Sequence, residues 1–69
     1  MMRFKVNGVE EEFAVTTTVS ELLAFRGIDP VARFVAVAVN GSVVRRSEWP
    51  SKPLGPGDDV EIVRPFSGG

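Results

Sequence analysis

Residues 34–46 read FVAVAVNGSVVRR. Asn-Gly inside an apolar run is the strongest short-range hairpin signal, because both residues tolerate the positive φ of a two-residue type I′ turn. A turn at Asn40-Gly41 sets Val37 across from Val44 and Ala38 across from Val43, so no charge enters an apolar row. Both faces of Val35 to Val39 are apolar, with small Ala36 and Ala38 on one side. Such a strand is expected to be covered twice or left partly open for a partner.

The same dipeptide recurs upstream. Met2 to Val6 alternates apolar with basic residues, the period of a half-buried strand, and runs into Asn7-Gly8. A strict two-residue loop would place Glu11 opposite Phe4 on the core face. A longer loop over residues 7–10 pairs Phe4 with Phe13, Met2 with Val15 and Lys5 with Glu12, which buries apolar groups and matches charges. The longer loop is therefore expected, with a return strand near residues 12–16.

Between the hairpins, TVSELLAFRG (residues 18–27) reads as a helix. Thr18 and Glu21 have capping-box spacing, which satisfies two orphan backbone donors reciprocally. Val19, Leu22 and Leu23 form the buried stripe, Arg26 continues the helical spacing, Gly27 suits the left-handed position after the last turn, and Pro30 opposes continuation. Downstream, SEWPSKP (residues 47–53) is expected to be irregular, a single turn ending at Pro50. Trp49 is its anchor at a core edge or a satellite packing residue. Gly55-Pro56-Gly57-Asp58 is a turn, and Val60 and Ile62 alternate with Glu61 and Val63 in a last strand. With no internal repeat and no linker, the chain reads as an α+β roll: hairpin, helix, hairpin and closing strand.

Composition bounds the function. One domain of 69 residues sits near the lower size limit for a metal-free, disulfide-free core, and 43% hydrophobic residues allow it to fold alone. Eight basic and nine acidic side chains give a net charge of -1, which provides no field for nucleic acid or an anionic membrane. No cysteine is present, which excludes disulfides and thiolate chemistry and fits a cytoplasmic address. The N-terminus turns polar too early for a signal peptide, and no apolar run reaches membrane-spanning length. Without His, Cys or Tyr, proton shuttles and nucleophiles reduce to carboxylates, lysines and hydroxyls, so the chain is not expected to act as an enzyme by itself. Glu10, Glu11, Glu12, Asp58 and Asp59 read as solvated charge, and no metal site is expected.

The sequence ends RPFSGG (residues 64–69). A glycine pair adds no packing and loses the most entropy on ordering, so it is a frayed end or a functional one. Taken in order, VNG (6–8), TVSELL (18–23), VAVAVNGSVVRRSEW (35–49), LGPGDDVEIV (54–63) and the final Gly68-Gly69 resemble the ThiS family, thiamine-biosynthesis sulfur carriers of the ubiquitin-like β-grasp fold. The resemblance covers almost the whole chain. It departs at Arg45, where the family commonly has Pro. The PFSGG end also resembles the small subunit of molybdopterin synthase, the alternative carrier, and a ubiquitin-like protein modifier is a further alternative.

The resemblance implies a mixed sheet of about five strands packed on one main helix, with residues 1–66 as the domain and 67–69 as a flexible tail. It implies that the Gly69 carboxylate is adenylated by an E1-like, ThiF-like adenylyltransferase that uses ATP and Mg²⁺. A persulfide donor then makes the thiocarboxylate, and a ThiG-like thiazole synthase consumes its sulfur. Gly68 and Ser67 would thread into the partner sites, and the carrier would hold no cofactor and be a monomer when free. The family meets partners on the sheet face away from the helix, where Val43, Val63 and Phe66 are candidates, Phe66 standing equally as a last core residue. Arg45, Arg46 and Arg64 are expected to steer acidic partner surfaces or to be solvated charge.

Overall fold

Both Asn-Gly pairs make two-residue turns. Asn7 and Gly8 have φ of 51° and 83°, and Asn40 and Gly41 have 52° and 84°. The computed structural model describes residues 2–14, 16–29 and 34–64. Around the first turn β1 (Met2–Val6) pairs antiparallel with β2 (Val9–Phe13), and around the second β4 (Ala36–Val39) pairs antiparallel with β5 (Ser42–Val44). The second register is the expected one, with Val37 opposite Val44 and Ala38 opposite Val43.

The first register is not the longer-loop arrangement. Phe4 faces Glu11, Met2 faces Phe13 and Lys5 faces Glu10, and the return strand begins at Val9. The positive-φ turn chemistry prevails because Glu11 lies on an edge strand, where its carboxylate meets the Arg26 guanidinium in an ion pair. Phe13 still reaches the core. From the diagonal position it stacks on Phe4, with ring centroids 4.3 Å apart and planes inclined by 2°. Charge matching survives the shift as well, since Arg3 lies 3.7 Å from Glu10 and 3.4 Å from Glu12, although these exposed pairs contribute little stability. Val15, expected opposite Met2, lies outside the described residues.

The closing strand β7 (Asp59–Val63) completes a mixed five-stranded sheet of order β2-β1-β7-β4-β5, parallel to β1 and antiparallel to β4. Helix α1 (Val19–Phe25) packs on one face through buried Val19, Leu22 and Leu23, against Phe4, Val6, Val37, Val39, Val44 and Val60 of the sheet. Its start has both halves of the capping box: Glu21 N–H donates to Thr18 Oγ1 at 3.2 Å, and Thr18 N–H donates to Glu21 Oε1 at 2.8 Å. Gly27, at φ 73°, ends the helix in the left-handed region.

Two features go beyond the sequence reading. Residues of the expected irregular stretch form a 3-10 helix, Arg46–Ser51, that carries Trp49 into the core cluster instead of leaving it at the edge. In addition, β3 (Thr17–Thr18) pairs antiparallel with β6 (Pro53–Leu54), and Val19 N–H donates to Lys52 O at 3.0 Å, which satisfies a first-turn donor of the helix.

Each turn asparagine also grips β7. Asn40 N–H donates to Asp59 O at 2.8 Å, and Asp59 N–H donates to Asn40 Oδ1 at 2.9 Å. Asn7 N–H donates to Val60 O at 2.8 Å, and Ile62 N–H donates to Asn7 Oδ1 at 2.7 Å, which extends the ladder past the last residue of β1. Asn7→Gly keeps the positive-φ turn but removes this acceptor. It should cost about 1 kcal/mol and accelerate exchange of the Ile62 amide while leaving the Asp59 amide unchanged. Asn7→Asp, which keeps the acceptor, should restore protection in the same hydrogen-exchange measurement.

Candidate functional site

The candidate site is built around the strand that leads to the C-terminus. Val60, fully buried, and the half-buried Ile62 turn toward the core, so Asp59, Glu61 and Val63 face solvent. The solvent face of the sheet therefore splits in two. Arg3 and Lys5 of β1, Glu10 and Glu12 of β2, and Asp59 and Glu61 of β7 form a charged half. Val63, Ala36, Ala38 and Val43 form an apolar half across β7, β4 and β5.

Val63 and Val43 are 59% and 76% exposed, and they share this face. Val63 lies opposite Ala36 and Val43 opposite Ala38, so they flank the two small residues of β4 on either side. Strand spacing and rise place them roughly 12 Å apart. The small alanines leave the patch shallow and open, which resolves the reading of β4: its helix side is covered and its other side is not. Phe34, two residues before β4, is 76% exposed at a φ of 65°, a backbone region that disfavours bulky side chains.

Arg64 does not join that face. It lines a groove on the helix side together with Ile62 and Arg26. Arg45, directly after β5, is exposed, whereas the Arg46 guanidinium stands over the Trp49 ring, 4.6 Å from its centroid, and so supports packing. Phe66, Ser67, Gly68 and Gly69 lie outside the described residues.

Among the described residues, no group of three or more His, Cys, Asp or Glu is placed to hold a metal ion. Asp58, one of the clustered acids, has a structural role: Oδ1 accepts from Asn40 Nδ2 at 3.0 Å, and Oδ2 accepts from Gly55 N–H at 2.7 Å. Among the described residues, no helix is long and apolar enough to cross a membrane.

Sequence reasoning missed the Glu11–Arg26 pair and the asparagine grip on β7. Helical spacing singled out Arg26, but its partner depends on the hairpin register. Asn-Gly signals turn geometry and carries no information about which distant strand the amide side chain will meet.

The comparisons with known proteins agree with this geometry. A thiamine biosynthesis protein (ThiS) from Geobacter metallireducens, in its crystal structure, superposes with a TM-score of 0.79 at 30% identity, over 99% of this chain and 100% of that one. A solution structure of a thiamine biosynthesis protein from the same organism gives 0.78 at 31% identity, over 99% of this chain and 88% of that one. A protein named thiazole synthase from Paramagnetospirillum magneticum is 37% identical over 68 residues. This chain spans 20% of the length of that relative. The ThiS family model matches residues 4–69, on a mixed β-grasp sheet with one main helix, and the chain belongs to the ThiS family.

Proposed function

We propose that this chain is a sulfur carrier of thiamine biosynthesis whose reacting group is the Gly69 carboxylate. The observation that carries the reading is the family match over residues 4–69, which runs through Gly68-Gly69. A carboxylate with a pKa of about 3.5 is ionised at neutral pH and is a poor electrophile. It therefore needs activation. Attack of a Gly69 oxygen on the α-phosphorus of ATP forms the acyl-adenylate and releases pyrophosphate. A persulfide then attacks the acyl carbon and expels AMP, and a thiol cleaves the resulting S–S bond, which leaves the thiocarboxylate on Gly69 and the donor as a disulfide.

ATP and Mg²⁺ belong to an E1-like, ThiF-like adenylyltransferase, and the carrier contributes a substrate end. Gly68 and Gly69 lack a Cβ that would obstruct close backbone approach, and Ser67 extends the reach. A ThiG-like thiazole synthase is the consumer of the sulfur, a reading supported by the relative of that name, which includes a stretch similar to this chain. The absence of cysteine suits the role, since no thiol in the carrier can capture its own activated end. We place the carrier in the cytoplasm, as a monomer when free.

Incubation with the E1-like enzyme, ATP, Mg²⁺, a persulfide donor and a thiol should raise the intact mass by the exchange of one oxygen for sulfur, and fragmentation should locate it at Gly69. An unchanged mass, with the enzyme competent on another carrier, overturns the reading.

A further inference from the structure

A groove of about 440 Å³ opens on the helix side of the sheet at the end from which β7 leaves it. Buried Ile28 and half-buried Ile62 supply apolar lining, and Val9, 61% exposed on edge strand β2, extends it. Arg26, Arg64 and Glu11 are the charged residues of the lining among the described residues. Arg26 pairs with Glu11, so Arg64 leaves the groove with an excess positive charge. The groove thus combines an apolar surface with a cation, on the side of the sheet opposite the Val43 and Val63 patch.

We infer that this groove docks an acidic, apolar segment of the enzyme that adenylates Gly69, with an apolar side chain against Ile28 and Ile62 and a carboxylate at Arg64. The inference rests on the carrier reading. Reach supports this occupant: Gly69 lies five residues beyond Arg64, so a fully extended tail spans at most about 18 Å. An enzyme holding Gly69 in its active site therefore comes within that distance of the groove. Charge supports it as well, since a guanidinium that no carboxylate pairs with among the described residues, beside an apolar surface, favours a carboxylate-bearing partner and disfavours a basic one. Contact with the groove would fix the direction in which the tail leaves β7.

The test is steady-state sulfur loading by the E1-like adenylyltransferase, with carrier concentration varied for wild type, Arg64→Glu, Arg64→Lys, Val9→Ser and Glu48→Gln. Arg64→Glu should raise the KM for carrier about tenfold and Val9→Ser about threefold, with kcat within about twofold. Arg64→Lys should stay near wild type, because the charge is retained. Glu48→Gln, in the 3-10 helix away from the groove, should change neither parameter. Arg64 and Val9 are exposed, so melting temperatures should not move. The dissociation constant for the same enzyme without ATP, measured by calorimetry, should change by the same ratios.

Wild-type KM values for both Arg64→Glu and Val9→Ser, on a carrier that is loaded normally, would overturn the groove and leave the carrier reading standing. A wild-type protein that is never loaded would overturn the carrier reading and this occupant with it. A wild-type dimer that Arg64→Glu dissociates in size-exclusion chromatography would reassign the groove to a second copy of this chain.

Discussion

Deletion of Gly69 yields a protein that melts at the wild-type temperature and no longer accepts sulfur. The fold should not register the loss. The described ladder between β4 and β7 ends at the Ala36–Val63 pair, and the Asn7 grip closes on Ile62, six or more residues before the deleted one. Chemistry should register it strongly. The deletion withdraws the terminal carboxylate by one residue, about 3.5 Å, whereas reacting atoms must approach to about 3–3.5 Å in line. Misplacement by about 1 Å can already cost a hundredfold, so loading should fall by at least about that factor. Intact mass after a fixed incubation reads the loss, and thermal unfolding reads the fold. Loading within about tenfold of wild type would place the reactive group elsewhere or show that the enzyme tolerates a shorter tail.

The parts of this molecule that could be read from the sequence are those set by local stereochemistry. Asn40-Gly41, the Thr18–Glu21 capping box and Gly27 each require a particular backbone conformation, and the structure has all three. The first hairpin departed from expectation because two local rules competed there: positive-φ turn preference and burial of apolar pairs. Turn chemistry set the register, and burial was recovered by a diagonal Phe13–Phe4 stack that pairwise matching does not anticipate. The two-residue strands β3 and β6 were invisible for a different reason. Neither contains a period, and they exist because Lys52 to Leu54 is brought alongside the start of the helix. The apolar half of the sheet face was legible only as an ambiguity in Val35 to Val39, since a sequence gives alternation but does not indicate which side the helix covers. The groove at Arg64 combines residues from β2, β7 and the segment after α1, and its assembly follows from the fold alone.

Trp49 should be among the most stability-sensitive positions in the chain. Its side chain is 2% exposed within the core cluster, its Nε1–H donates to Val44 O at 3.0 Å, and the Arg46 guanidinium covers the ring. The 3-10 helix that carries it packs against α1, so the indole links the second hairpin to the helix. Trp49→Ala removes the packing and the hydrogen bond together and should cost about 3–5 kcal/mol. A domain of this length has a total stability of roughly 3–10 kcal/mol. The variant should therefore be partly or wholly unfolded at room temperature, or melt at least about 12 °C lower. Trp49→Phe separates the contributions: it keeps most of the apolar volume and loses only the indole hydrogen bond to the Val44 carbonyl, which still accepts from Val37 across the hairpin, a loss of about 1 kcal/mol. Denaturant titration of both variants reads the difference. A Trp49→Ala cost below about 1 kcal/mol would mean that the core closes without the indole and that the 3-10 helix is an ornament on the sheet. The predicted larger cost would show that a stretch with no helical or strand period in its sequence is part of what holds the sheet and helix together.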